Sequence, residues 1–138
     1  HTTAVERAIE LAKGKGAKRA LPLPVSAPFH CSLMVPAGER LSEVLADIVI
    51  NPMAIPVVSN VEALPNSDHG RIKELLVSQV SAPVKWDASV EMMVSEGVEK
   101  FVEIGPGKVL SGLVKRISKS ASAANVEDCA SLEKLLNS

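Results

Sequence analysis

The sequence lacks an excess of charge of either sign: 15 lysines and arginines stand against 16 aspartates and glutamates, which leaves a net charge of -1 at pH 7. No basic run is longer than a pair such as Lys18-Arg19 or Lys115-Arg116. A balance of this kind offers no electrostatic surface to a nucleic acid or an anionic membrane. We therefore expect neither as a partner, and we expect the partners to be small or weakly charged.

Long hydrophobic runs are also absent. The longest, VLADIVI and AIPVV, are interrupted by Asn51, Pro52 and Pro56, far short of the roughly 20 apolar residues that a membrane-spanning helix needs. We therefore expect no segment of the sequence to cross a bilayer.

Cysteine is scarce, and the two that occur, Cys31 and Cys129, are far apart and have no metal-ligand spacing with a histidine. This pattern predicts neither a disulfide framework nor a metal site, and it favours a reducing, cytoplasmic environment. The sequence starts at His1 rather than at a methionine, and its opening residues HTTAVERAIELA lack the pattern of a signal peptide. We expect the chain to begin inside a longer protein.

What is present, 46% hydrophobic and 22% charged residues over 138 positions, fits one domain with a core. A capping box at Thr3 and Glu6 predicts a first helix of about ten residues, which Gly14 and Gly16 end. Apolar spacing predicts further helices from Glu39, across Ile72 to Gln79, from about Trp86 to Glu96, across Val109 to Ile117, and around Leu132 to Leu136.

Strands are predicted at ALPLPV (edge or bent), at IPVVSNV (residues 55–61, buried) and at VEKFVEIGPG, with SKSASAAN as a solvent-facing connection. Helices alternating with short strands are typical of an α/β layer fold with a mostly parallel sheet. About four strands are fewer than the five or six usual in a sheet, so we expect the fold to be incomplete.

His30 lies in LPVSAPFHCSLMVPA, residues 23–37, between the strand predicted at ALPLPV and the helix predicted from Glu39. Strand-to-helix junctions hold the chemistry of many α/β folds, and an imidazole can take and return a proton at neutral pH. The alternative is a structural or exposed histidine. Its neighbour Cys31 would point to the opposite face of an extended segment, so we interpret Cys31 as a core residue rather than a partner.

Other chemically suggestive residues have ordinary explanations. His69 lies among turn residues and is expected to be an exposed loop residue. The segment IGPGKVL could offer backbone donors to an anion at a helix start, or could simply be a turn. Trp86, the only tryptophan, indicates core packing or an anchor at a helix start. No G-x-S-x-G motif for a nucleophilic serine occurs in the sequence.

Four segments in order resemble the malonyl-CoA:acyl carrier protein transacylases of fatty acid synthesis. They are AKRALPLPVSAPFHCSLM, around the histidine, followed by IPVVSNV, VSQVSAPVKW and FVEIGPGKVLSGLVKRI. The resemblance covers nearly the whole chain and is weakest after Ser118. It implies a ping-pong transfer in which a serine takes malonyl from malonyl-CoA and passes it to the phosphopantetheine thiol of acyl carrier protein, with no cofactor.

The resemblance also assigns roles to three residues of this chain. His30 matches the general base that activates the serine. Gln79 matches the position whose backbone carbonyl accepts a hydrogen bond from the other ring nitrogen of that histidine. Phe29 matches a position associated with acceptance of the unbranched malonyl group. The family's serine, its malonyl-gripping arginine and its oxyanion-hole glutamine would all precede His1, so we do not expect this chain alone to be a working enzyme.

The family fold implies an assignment of the chain to two parts. Residues 1–28 would finish a small ferredoxin-like subdomain, and residues 29–138 would form the C-terminal part of an α/β-hydrolase-like body. Two alternatives remain open from the sequence: an acyltransferase domain of polyketide synthase type, and a noncatalytic α/β binding module. A serine motif and an arginine before His1 would favour either enzyme over the module.

Overall fold

The computed structural model describes residues 1–137 and confirms a mixed α/β chain. Within that range lie six helices, four short strands and two 3₁₀ turns, at Ser32–Met34 and His69–Arg71. The helices are α1 (Thr2–Gly14), α2 (Val35–Ala46), α3 (Ile72–Ser81), α4 (Trp86–Ser95), α5 (Val109–Ile117) and α6 (Cys129–Leu136). The strands are β1 (Val57–Val58), β2 (Pro65–Asn66), β3 (Lys100–Ile104) and β4 (Ser122–Val126).

Strands β3 and β4 form a parallel pair, with Lys100 opposite Ser122 and Ile104 opposite Val126. Helix α5 connects them and packs on both, as a parallel pair requires a crossover connection. The sequence prediction of a solvent-facing connection at SKSASAAN was therefore wrong, because Ser122 to Asn125 belong to β4. The serine and alanine content indicated a loop, but backbone pairing with β3 and packing against α5 and α6 decide the structure.

The prediction of a seven-residue buried strand over residues 55–61 was also wrong. Only Val57 and Val58 are extended in β1, and they pair antiparallel with Asn66 and Pro65 of β2. Val57 is 54% exposed and Ile55 is 73% exposed. A β-branched run thus indicated strand character without the burial that normally accompanies it.

Two helix starts and one strand differ from the sequence predictions. His1, not Thr3, precedes the first turn of α1, and it makes no side-chain capping bond, so the predicted capping box does not form. Helix α2 begins four residues before Glu39, with a proline in its first turn, a position where the missing N–H costs nothing. The strand predicted at ALPLPV is absent, because residues 18–25 have no regular structure and two prolines cannot donate to a ladder.

The core of the described residues is small, and much apolar surface is exposed. Its buried apolar members are Leu45, Ala63, Leu75, Val90 and Val114. Helices α2 and α3 form the most extensive helix pair, and this pair positions the site described next. On β3, Val102 is 40% and Ile104 84% exposed, although a parallel sheet is normally covered on both faces.

Candidate active site

His30 lies at the end of the irregular segment that leads into the first 3₁₀ turn and α2. Its φ of +59° is in the left-handed region, which non-glycine residues rarely adopt. Such backbone strain persists only where surrounding contacts fix it, and it is frequent at functional sites. The sequence placed His30 just before a helix correctly, but the element before it is not a strand.

Two backbone carbonyls hold the imidazole ring of His30. Its Nδ1 lies 3.2 Å from the carbonyl oxygen of Gln79 and 3.1 Å from that of Ala82. A carbonyl oxygen only accepts hydrogen bonds, so Nδ1 carries a proton and donates to both. The expected contact between His30 and the Gln79 carbonyl is thus confirmed as geometry. Its catalytic meaning stays a prediction.

The second ring nitrogen, Nε2, has no hydrogen-bond partner among residues 1–137. With Nδ1 protonated, a neutral ring has its lone pair on Nε2. The side chain of His30 is also exposed. The ring is therefore oriented by one nitrogen and available to an incoming hydroxyl or thiol through the other, which is the arrangement that a general base requires.

The two carbonyls come from the C-terminal end of α3. The last four carbonyls of a helix lack intrahelical donors and must find other partners, and His30 is the partner of the Gln79 carbonyl. Ala82, which follows the last helical residue, is extended, with φ -81° and ψ 153°. The sequence interpretation missed the Ala82 carbonyl, although Pro83 was a signal that the helix ends just before it.

Gln79 has a second environment besides its carbonyl contact. It lines an apolar cavity of about 170 Å³ between α3 and β1, together with Met53, Val58, Ile72, Leu75 and Leu76 among others. The carbonyl and the side chain can therefore be tested separately.

Phe29 precedes His30 and is close to its ring. The two ring centroids are 6.4 Å apart and tilted by 46°, and Phe29 is 53% exposed. A large exposed ring at this distance could contact an acyl group bound near Nε2. The role of Phe29 in acyl acceptance stays a prediction.

The neighbouring candidates have structural explanations. The Cys31 thiol is half-buried and donates to the Pro28 carbonyl at 3.1 Å, so it is not a fully buried core residue, and it does not pair with His30. His69 is exposed, as predicted. Trp86 begins α4, as predicted for a helix-start anchor, and its buried indole N–H has no partner among the described residues.

Carboxylates of the chain itself accept from two backbone donors of IGPGKVL, Gly107 N and Leu110 N, and from Ser111 N directly after it. A third donor, Gly105 N, bonds to the Val126 carbonyl. Glu103, at the end of β3, accepts from Leu110 N at 3.1 Å, Ser111 N at 2.8 Å and Ser111 Oγ at 2.7 Å. The backbone N–H of Ser111, and next its hydroxyl, lower the pKa of the Glu103 carboxyl. Gly107 N donates to Glu127 at 3.1 Å. This segment is therefore an internally capped helix start rather than a site for an external anion.

Two further kinds of site were searched across residues 1–137. No group of three or more His, Cys, Asp or Glu side chains there could hold a metal ion. Nor does any helix in that range have the length and apolar character needed to span a membrane.

Several known proteins are similar to this chain in sequence or in fold. No protein-family model matches the chain. The malonyl CoA-acyl carrier protein transacylase of Escherichia coli is 51% identical over 127 residues, which cover 91% of this chain and 41% of that protein. The crystal structure of an acyl carrier protein S-malonyltransferase from Vibrio cholerae has a TM-score of 0.87 and 51% identity, and the match covers 96% of this chain and 43% of that one.

A third match includes an acyl carrier protein. It is the structure of a malonyl-transacylase in complex with a type II polyketide synthase acyl-carrier protein, with a TM-score of 0.90, 47% identity, and coverage of 98% of this chain and 44% of that chain. This chain thus spans about two fifths of the length of these relatives, in their C-terminal portion. The resemblance found in the sequence is confirmed at the level of both sequence and fold.

Proposed function

We propose that this chain supplies the histidine side of a serine-dependent malonyl transfer from malonyl-CoA to the thiol of acyl carrier protein. The observation that supports it most directly is the orientation of His30, whose Nδ1–H is held by two carbonyls while Nε2 stays free. The similarity to malonyl CoA-acyl carrier protein transacylases indicates the class of substrate on which this free nitrogen would act.

In the proposed mechanism, Nε2 of His30 takes the proton of a serine hydroxyl as the oxygen attacks the malonyl thioester, because an unassisted hydroxyl is a poor nucleophile. The imidazolium that forms is stabilised by the carbonyl dipoles of Gln79 and Ala82. It then protonates the departing coenzyme A thiolate. In the second half, Nε2 takes the proton of the carrier-protein thiol as its sulfur attacks the malonyl ester, and returns it to the serine.

The groups that this chain does not supply are expected from the part of the relatives that it does not span. These are the serine, an arginine for the malonyl carboxylate and an oxyanion-hole glutamine. We propose no resident cofactor or metal, since malonyl-CoA is a substrate, and we propose a cytoplasmic location because two free cysteines fit a reducing environment. Phe29 is proposed to limit the space for a branched acyl group.

We also propose the finer division of the fold. Residues 1–28 would complete a ferredoxin-like small subdomain, and residues 29–138 would form the C-terminal part of an α/β-hydrolase-like body. Helix α1 has no buried residue, and no regular element lies between α1 and the 3₁₀ turn at Ser32–Met34. Both observations favour a boundary in this irregular stretch.

A chimera tests the proposed function. Residues 1–138 of this chain would replace the matching portion of the Escherichia coli transacylase, and malonylation of acyl carrier protein by malonyl-CoA would be followed by mass spectrometry. We expect malonyl transfer, because the chain is 51% identical to the portion replaced and its His30 is oriented as a general base requires. A chimera that folds and binds acyl carrier protein but transfers nothing would favour the noncatalytic binding module.

Gln79→Ala in that chimera separates the carbonyl from the side chain. We expect most of the activity to remain, because the substitution keeps the backbone oxygen that holds His30. If the side-chain amide were the orienting group, the loss of activity could approach roughly 10⁴-fold, as when the residue that orients the histidine of a Ser-His-Asp triad is replaced. The check is kcat for malonyl transfer, and Ser78→Ala, one residue earlier on α3, is the control.

A further inference from the structure

We propose that Pro83 is a positioning residue for His30: it frees the Gln79 carbonyl and aims the Ala82 carbonyl at the ring. The catalytic consequence rests on the proposed function of His30. The orientation of the ring does not, and it can be measured in the chain itself.

The first effect of Pro83 follows from helix geometry. In an α-helix each carbonyl accepts from the N–H four residues later, so the Gln79 carbonyl would accept from residue 83. Proline has no N–H. The preceding carbonyl, that of Ser78, still receives its bond, from Ala82 N at 3.1 Å. The helical ladder therefore stops at Gln79, and the oxygen released there accepts from His30.

The second effect acts on Ala82. A residue before proline is driven out of the helical region toward extended backbone, with ψ about 120 to 160°. Ala82 has ψ 153°, and its carbonyl lies 3.1 Å from His30 Nδ1. The loop then continues to Lys85, whose N–H donates to the Asn60 carbonyl at 2.9 Å. One proline thus accounts for both acceptors of a single ring N–H.

Any helix end leaves carbonyls without intrahelical donors, but a non-proline residue at position 83 would bring back an N–H that competes with His30 for the Gln79 oxygen. Pro83 removes that competitor permanently. The residue is also exposed, so its replacement leaves no cavity in the core. An effect of the substitution on His30 would therefore arise from the backbone rather than from packing.

The experiment compares Pro83→Ala with the unaltered 138-residue chain by ¹⁵N NMR of the histidine rings at about pH 8, where an ordinary imidazole is neutral. The His30 signals are assigned by their loss in His30→Ala. We expect the Nδ1–H tautomer to dominate in the unaltered chain. In Pro83→Ala the tautomer ratio should move roughly fivefold toward Nε2–H, equivalent to about one net hydrogen bond, and the new amide at position 83 should be protected from hydrogen exchange. Pro24→Ala, in the exposed irregular segment, is the matched control and should change neither.

An unchanged tautomer ratio in a folded Pro83→Ala chain would overturn the proposal. Should Pro83→Ala lose the dispersed amide spectrum of the folded chain, Pro83→Val restores the same N–H with a residue less inclined to extend the helix, and the same criterion applies to it. The chimera then separates this inference from the proposed function. A tautomer shift together with a lower kcat, and little change in KM, supports both. A tautomer shift with unchanged transfer by an active chimera supports the positioning of the ring by Pro83, and the His30→Ala chimera then decides whether His30 is the base.

Discussion

Malonyl transfer by the chimera is expected to fall by roughly 10²–10⁴-fold when His30 is replaced with alanine, the usual contribution of a positioned general base. The imidazole is the group that could accept the serine proton, and its geometry leaves only Nε2 for that purpose. Loss of the ring should slow both half-reactions, because each needs a proton taken from a nucleophile and returned to a leaving group. The measurement is the rate of acyl-enzyme formation from labelled malonyl-CoA, followed by the rate of transfer to acyl carrier protein.

His69→Ala is the matched control for that substitution. It also removes an imidazole, but from an exposed turn where no catalytic contact is proposed, and it should leave both rates unchanged. A His30→Ala chimera with the rates of the unaltered chimera would remove His30 from the mechanism. The contacts of His30 with the Gln79 and Ala82 carbonyls would then serve only to cap the end of α3.

Helical periodicity predicted most of the helices because their apolar spacing is local information. The helices around Ile72 to Gln79 and across Val109 to Ile117 were placed close to their bounds in the structure. Strand β4, which the sequence predicted to be a connection, depends instead on pairing with a distant segment. The alanine- and serine-rich β4 pairs with β3 more than 20 residues earlier, and no local pattern of residues 122–126 encodes that partner.

The candidate site shows the same contrast between local and long-range information. The resemblance supplied the contact between His30 and Gln79, which are 49 residues apart and which no periodicity would bring together. The Ala82 carbonyl was missed because a backbone oxygen has no sequence signature of its own. Its one local signal was the proline after it, which fixes where α3 ends and so which carbonyls are left to accept a hydrogen bond.

The unaltered 138-residue chain, assayed by itself, is expected to transfer no malonyl to acyl carrier protein above the rate without protein. A base alone does not form an acyl-enzyme, and among residues 1–137 no serine is hydrogen-bonded to His30. The nearest thiol, Cys31, donates to Pro28 instead. Mass spectrometry of both proteins after incubation with malonyl-CoA would show an unmodified chain and unmodified carrier protein, while circular dichroism of the same sample establishes that the helices have formed. A malonyl ester or thioester on the folded chain would reveal a nucleophile within these residues. The proposed division of the catalytic groups between this chain and the remaining length of its relatives would then be wrong.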